Sequence, residues 1–242
     1  MNLFWLLILA HFIADFPLQS DKIFALKSKH KWGILPHIFI SFITNLFIAF
    51  PFLGFKNFWV AVFFLAIIHY LLDWLKILLT QKLLSDSVLI FLLDQAFHIF
   101  FIWFTCYCLF DIPSPDIKYK FIVTYYFNKK VILVLTGFVF SIFGGGVLIH
   151  YIRKIVQRIK TKESGEQVPF PNVNKRCVGY MERFFSTFGT IFGGWFLLLV
   201  PIAFIPRLIM RGNRDSREFL MINFVSGLFI SIGTGLFVQL MW

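Results

Sequence analysis

Histidine and aspartate residues inside long apolar segments constrain the fold of this chain more than any other feature. Seven of them fall within the first hundred positions: His11, Asp15, His37, His69, Asp73, Asp94 and His98. A charged side chain in hydrocarbon is costly even on lenient scales, so such residues normally face a protein interior or a polar cavity. The sequence therefore predicts a polar site that is enclosed by helices, most readily a metal site.

Long apolar segments account for most of the chain. Of its 242 residues 59% are hydrophobic and 14% are charged, and the mean hydropathy is +0.80, far from the composition of soluble domains. A helix needs about 20 apolar residues to cross a bilayer, and such segments occur at 3–18, 34–55, 57–79, 87–110, 128–152, 184–206 and 218–241. We expect an all-α, polytopic integral membrane protein with about seven transmembrane helices.

The sixth apolar segment contains residues that interrupt helices. Gly193, Gly194, Pro201 and Pro206 can turn it into a kinked or re-entrant segment, which would leave six full crossings. In domain terms we expect a four-helix transmembrane core at 1–110 that bears the His/Asp site, and an extracytoplasmic loop at 111–127. The remainder, 128–242, is expected to be a three-helix half with a basic cytoplasmic linker at 157–176.

Basic residues, which give the chain a formal net charge of +11, concentrate in particular loops at 22–31 and 153–183. The positive-inside rule makes these loops cytoplasmic, which places the N-terminus outside and the C-terminus inside. The arginines at 207–217 break this rule unless the sixth segment is re-entrant. The pattern indicates membrane topology rather than nucleic-acid binding, and it leaves the cytoplasmic basic loops as a surface for a protein partner. The first segment lacks a cleavage pattern, so we expect it to stay in the mature protein.

The polar residues are expected to lie at a similar depth in the membrane. A helix rises about 1.5 Å per residue through hydrocarbon about 30 Å thick, so the distance from a loop gives the depth. His11 and Asp15 are close to the cytoplasmic end of the first segment, and His37 is one turn into the second. The His and Asp residues of the third and fourth segments are about six to eleven residues from their cytoplasmic ends. We therefore expect all seven residues in the same half of the membrane.

The spacing of these residues points to metal binding. His11 and Asp15, His69 and Asp73, and Asp94 and His98 are each four residues apart, so each pair shares one helix face. One such pair is as readily a hydrogen bond between helices, but three pairs at one depth favour a ligand set. Imidazole and carboxylate ligands suit zinc, manganese or iron. The number of ligands fits either two ions or one ion with carboxylates that orient the imidazoles.

Polar and small residues outside this set have simpler interpretations. Lys76, one turn beyond Asp73, either reaches the interface or holds a lipid phosphate. Glu182 and Arg183 are expected to form an interfacial ion pair at the start of a helix. Small residues recur every fourth position in the last segment, a stripe suited to helix contact within the chain or between subunits of a homo-oligomer. The stripe consists of Gly227, Ser231 and Gly235.

Several ordered motifs carry a resemblance to a known family. HFIADFPLQSDKIFALK (11–27), HYLLDWLK (69–76) and DQAFH (94–98), together with His37, resemble the signature of small bacterial multi-pass membrane proteins that form a domain of unknown function. The likeness covers about residues 1–105, with a Gly-x-x-Glu-Arg element of longer members similar to 179–183. The resemblance brings no established activity; it implies a bacterial inner membrane and adds Gln19 and Lys27 as polar contacts. A weaker likeness is to SOS-regulated inner-membrane proteins described as metal-dependent hydrolases.

The combined pattern predicts a membrane-embedded, divalent-metal-dependent hydrolase that acts on a lipid-borne ester, phosphoester or amide from the cytoplasmic leaflet. Asp73 or Asp94 would be the general base, while Lys76 and Lys27 would hold a headgroup phosphate. Two other classes stay open. A proton- or metal-coupled transporter would continue its polar residues into the outer half of the membrane, where this sequence is apolar. A metal-stabilised scaffold or sensor without catalysis would use the same ligands to hold its helices together.

Overall fold

The computed structural model describes residues 2–29, 31–82, 87–115, 128–161, 173–206 and 217–242. Within these ranges the chain consists of helices and turns with no strand, which confirms the all-α prediction. Its contacts divide it into two compact units, Met1–Ile132 and Leu133–Trp242. Most of the predicted loop at 111–127, most of the basic linker, and the arginines at 207–214 lie outside the described residues.

Helical segments long and apolar enough to cross a membrane support the prediction of a membrane protein. They are α4 (Lys56–Lys82), α5 (Val88–Phe104) with its π-helical continuation (Thr105–Leu109), α6 (Lys129–Val139) with a π-helical segment (Phe140–Gly144) and α7 (Gly145–Thr161), and α10 (Arg217–Met241). By length and composition these make four candidate spans in the described part of the chain. Seven crossings are not confirmed, because the first, second and sixth predicted spans are short or broken.

Helices α1 (Asn2–Asp15) and α3 (Leu35–Ile48) correspond to the first two predicted spans. Each has 14 residues, a length of about 21 Å, which is less than the hydrocarbon thickness of about 30 Å. Pro17 disfavours helical conformation at the residue before it, so α1 ends just upstream. Pro36 lies in the first turn of α3, and a 3-10 turn (Phe50–Phe52) around Pro51 follows the end of that helix.

Helix α1 is the most enclosed element of the first unit. Leu6, Leu7, Ala10 and Ala14 are almost completely buried. The helix packs against α3 and α5, while α4 packs against both α3 and α5. This arrangement makes four helices share one interior, into which polar faces can point.

A short helix, α2 (Asp21–Lys29), connects α1 to a 3-10 turn (Lys31–Ile34) and packs against that turn. The approach is close, because a Cβ atom at Gly33 would collide with the backbone carbonyl of Leu26. The contact fixes the end of α2 that carries Lys27, which is buried.

In the second unit, α8 (Val173–Phe192) packs against α10 and α9 (Leu199–Ala203). The predicted sixth span is broken, as its glycines had suggested. Gly193 and Gly194 have φ angles of 64° and 53°, in the left-handed region that favours glycine, and they separate α8 from a 3-10 turn (Gly194–Leu198).

The small-residue stripe of α10 is used inside this unit. Ser231 is fully buried and donates a hydrogen bond to the Gly227 carbonyl at 2.8 Å. A Cβ atom at Gly235 would come within 2.5 Å of the Thr190 Cβ on α8. The face that we considered for a subunit contact is therefore occupied by the same chain.

The prediction that Glu182 and Arg183 lie at the start of a helix is wrong. Both residues lie in the middle of α8 and are buried, with 2% and 4% of their surfaces exposed. The Nε and Nη2 groups of Arg183 donate to the carbonyl of Ile142 at 3.1 and 2.7 Å. Ile142 belongs to the π-helical segment, where the ordinary helical hydrogen bonding is interrupted.

Candidate metal centre

The interior of the first unit contains all seven predicted His and Asp residues. They come from the end of α1 (His11, Asp15), the start of α3 (His37), the middle of α4 (His69, Asp73) and the middle of α5 (Asp94, His98). Their exposed fractions range from 0% for His37 to 8% for Asp15. Three sets of residues could each hold a metal ion, because the ligand atoms within a set lie within 4.8 Å of one another. The sets are His11 with Asp15 and His69, His37 with His69 and Asp73, and Asp73 with Asp94 and His98.

Four of these side chains direct atoms towards one point. The Nε2 atoms of His37 and His69 are 3.2 Å apart, and Asp15 Oδ1 lies 3.3 Å from each. Asp73 Oδ2 lies 3.7 Å from both nitrogens. Bonds of about 2.0–2.1 Å to a tetrahedral zinc ion would place the ligand atoms about 3.3–3.4 Å apart. In this four-atom group, the atoms of His37, His69 and Asp15 match this spacing, at 3.2–3.3 Å from one another, whereas Asp73 Oδ2 lies slightly farther from both nitrogens, at 3.7 Å.

In the described part of the chain, buried polar atoms without a hydrogen-bond partner are concentrated in the same cluster. Buried side-chain atoms are usually hydrogen-bonded in proteins, yet several here have no hydrogen-bond partner among the described residues: His11 Nε2, Asp15 Oδ1, His37 Nδ1, Asp73 Oδ1, Asp94 Oδ1 and His98 Nε2. Asp15 Oδ1 lies 3.3 Å from the Nε2 atoms of His37 and His69. Convergent acceptors of this kind suit a cation.

Two histidine rings are oriented by partners on their outer nitrogens. The Nδ1 atom of His69 is 3.2 Å from the hydroxyl of Ser41 on α3, which leaves Nε2 for the four-atom group. The Nδ1–H of His98 donates to the backbone carbonyl of Asp94 at 2.8 Å, so its Nε2 carries a free lone pair. Such outer partners fix the tautomer and direction of metal-binding imidazoles. The sequence interpretation missed Ser41, although its position four residues after His37 places it on the same face of α3.

Both lysines that we predicted to bind substrate are paired with aspartates of the cluster. Lys27 Nζ lies 2.5 Å from Asp73 Oδ2, with 8% of the lysine side chain exposed. Lys76 Nζ lies 2.8 Å from Asp94 Oδ2, with 21% of its side chain exposed. Lys76 therefore reaches the surface of the first unit, whereas Lys27 is enclosed.

An amide group joins two of the carboxylates. The Nε2 group of Gln95 donates to Asp15 Oδ2 and to Asp94 Oδ2, both at 3.2 Å. The sequence interpretation missed this role, although Gln95 is a polar neighbour of Asp94 in an otherwise apolar helix. Gln19, which the resemblance had added, is half-buried in the turn after α1 and makes no hydrogen bond to the cluster among the described residues.

The remaining two histidines pack on each other beside the four-atom group. The rings of His11 and His98 are stacked, with centroids 4.9 Å apart and an interplanar angle of 17°. The His69 ring meets the His98 ring edge-on at 4.4 Å. These two histidines thus line the group from one side.

In a comparison with protein families, residues 3–128 match the family described as a protein of unknown function (DUF3307). The chain belongs to this family. The DUF3307 match covers every residue of the cluster, both lysines, Ser41 and Gln95, whereas Glu182 and Arg183 lie beyond it. The chain matches no curated protein and no solved structure.

Proposed function

We propose that this protein is a membrane-embedded hydrolase that depends on one divalent metal ion and cleaves a lipid-borne ester, phosphoester or amide at the cytoplasmic leaflet. The observation that carries the proposal is the four-atom group of Asp15, His37, His69 and Asp73, in which the three closest atoms have the spacing of zinc ligands and the carboxylate oxygens lack hydrogen-bond partners among the described residues. Zinc is the best-matched ion, because Asp15, His37 and His69 supply three ligand atoms at its spacing and a catalytic zinc site keeps its fourth position for water or substrate. When bound, it would polarise the scissile carbonyl or phosphoryl group and activate water.

The charges of the cluster favour a single ion. Asp15, Asp73 and Asp94 bring three negative charges, while Lys27 and Lys76 bring two positive ones. With neutral imidazoles, the cluster carries one net negative charge, which one divalent ion changes to one net positive charge. A second divalent ion would leave three uncompensated positive charges in a poorly screened interior.

Asp94 is the carboxylate best placed to act as general base. Its Oδ2 atom accepts hydrogen bonds from Lys76 and Gln95, which hold the carboxylate in one orientation. Its Oδ1 atom has no hydrogen-bond partner among the described residues and is available to accept a proton from water. Asp73 belongs to the four-atom group, so it is less suited to this role.

The surroundings of Lys76 suit an anionic amphiphile. Its ammonium group is partly exposed and lies 5.3 Å from the centroid of the Phe91 ring. The outer faces of α4 and α5 near it expose large apolar side chains, including Trp74, Leu75, Leu79, Leu93 and Phe97. A lipid that enters sideways could place its chains along these faces and its negatively charged headgroup at Lys76.

The test compares lipid products made by purified, zinc-loaded protein and by its Asp94→Asn variant, a near-isosteric change outside the four-atom group. Asp21→Asn, at the exposed start of α2, is the matched control. We expect a product with the wild type and with Asp21→Asn that is missing with Asp94→Asn, at equal zinc content. Identical lipid profiles across anionic, zwitterionic and prenyl-phosphate lipids, with zinc in place, would contradict hydrolysis.

A metal-stabilised scaffold is the second candidate, because Asp73 Oδ2 would make a fourth protein ligand and structural zinc sites are typically filled by four. It would retain the metal and show no product in this experiment. The scaffold is therefore favoured if the protein keeps its zinc content and shows a zinc-dependent melting temperature but yields no lipid product.

A further inference from the structure

A small space lies beside the stacked histidines, and neither Lys27 nor Lys76 lines it. It is lined by His11, Ser41, Asn45, His69 and His98 and by apolar side chains of α4 and α5. Its volume is about 20 Å³, while a cavity needs roughly 10–15 Å³ on this measure to hold one water molecule. The space is therefore large enough for one water molecule.

Two acceptor atoms of lining residues are unsatisfied. His98 Nε2 is a bare acceptor, because the Nδ1–H of that ring donates to a backbone carbonyl. His11 Nδ1 lies 3.6 Å from Asp15 Oδ1, which favours the proton on Nδ1 and leaves Nε2 as an acceptor. Both side chains are more than nine-tenths buried.

We propose that this space holds a water molecule that donates hydrogen bonds to the Nε2 atoms of His11 and His98. Water supplies the two donors that these atoms lack, and the Asn45 amide on the wall offers a further polar partner. No carboxylate lines the space, so a second metal ion would find no compensating charge there. A dry cavity would leave two buried imidazole acceptors without any partner.

The functional role of this water rests on the proposed hydrolysis. Hydrolysis consumes water, and this site is enclosed by apolar helices. His69 lines the same space and its Nε2 atom belongs to the four-atom group, so a water held there would be a local store from which the site is supplied.

The test uses protein with 15N-labelled histidine in lipid nanodiscs and detects magnetisation transfer from water to imidazole nitrogens. Asn45→Leu makes the wall apolar. Thr44→Val is the control, because Thr44 is a neighbour on α3 whose hydroxyl donates to its own Ile40 carbonyl at 2.7 Å and does not line the space. We expect water transfer to two buried imidazole nitrogens in the wild type and in Thr44→Val, and its loss in Asn45→Leu at unchanged zinc content.

Absence of the signal in the wild type, or its persistence in Asn45→Leu, would overturn the water site. The water site would also be overturned if Asn45→Leu contained one metal ion per chain fewer than the wild type, because the space would then hold an ion. If Asn45→Leu does not fold, Leu65→Phe fills the same space with carbon and is expected to remove the signal. Water transfer without lipid hydrolysis would leave the water site intact and defeat only the proposed function.

Discussion

Replacement of Lys27 by methionine tests whether the cluster is built around a cation. The ammonium group of Lys27 is 2.5 Å from Asp73 Oδ2, and the pair is buried, with 8% and 1% of the two side chains exposed. The same oxygen lies 3.7 Å from the Nε2 atoms of His37 and His69. Lys27 and a bound metal ion would therefore compensate the same carboxylate.

Removal of one partner from a buried ion pair typically costs about 3–5 kcal/mol, because the other charge remains uncompensated. For a chain of this size about 1 kcal/mol corresponds to roughly 2–4 °C in melting temperature, so we expect Lys27→Met to lower it by about 6–20 °C in chelator. A divalent ion on Asp73 would replace the missing charge. We therefore expect saturating zinc to recover most of the loss, and the variant to bind zinc more tightly than the wild type.

The assay is thermal unfolding of the purified protein in detergent, in chelator and in zinc. Lys22→Met, on the exposed face of α2, is the control and should behave like the wild type in both conditions. An equal loss of stability for Lys27→Met with and without zinc would refute the reasoning, since Lys27 would then serve only to anchor α2.

Three further predictions concern the outer partners, the second unit and the topology. Ser41→Ala removes the partner of His69 Nδ1 and should weaken zinc binding about 10–100-fold in a chelator competition; an unchanged affinity would show that the ring needs no such support. Gly235→Ala places a Cβ atom within 2.5 Å of Thr190 and should reduce the free energy of unfolding by about 1–3 kcal/mol, whereas Gly233→Ala, with nothing within 4 Å, should have no such effect; equal denaturation curves would contradict the packing of α8 on α10. A cysteine in place of Lys76, in protein whose native cysteines are replaced by serine, should react with an impermeant thiol reagent from the cytoplasmic side, and reaction only from outside would overturn the predicted topology.

The clustering of the seven polar residues could be predicted, because it depends on their spacing along each helix and on their distance from the helix ends. Spacing places His69 and Asp73 on one face of α4, and distance from the helix ends places them at the depth of Asp94 and His98. The rotation of each helix about its axis is not contained in that spacing. For this reason the sequence could not separate the four-atom group from His11 and His98, which stack beside it.

The partners of the lysines depend on contacts between segments. Lys27 reaches Asp73 because α2 packs on the 3-10 turn at Gly33, and no local pattern predicts that contact. The lengths of α1 and α3 follow from the prolines at positions 17, 36 and 51. The hydropathy of a segment does not indicate where such prolines end a helix. The break at Gly193 and Gly194, in contrast, was visible in the sequence, because paired glycines interrupt an apolar helix.

The metal content of the purified protein tests the central claim most directly. Protein prepared without chelator should contain about one zinc ion per chain by elemental analysis. The His69→Ala/Asp73→Ala double variant removes two members of the four-atom group and should lose the ion. A double variant with alanine in place of Asp21 and Asp111, which lie outside the cluster, should retain it. Wild-type protein with less than about a tenth of an ion per chain of zinc, manganese or iron would contradict the account, and the cluster would then be a hydrogen-bonded network without metal.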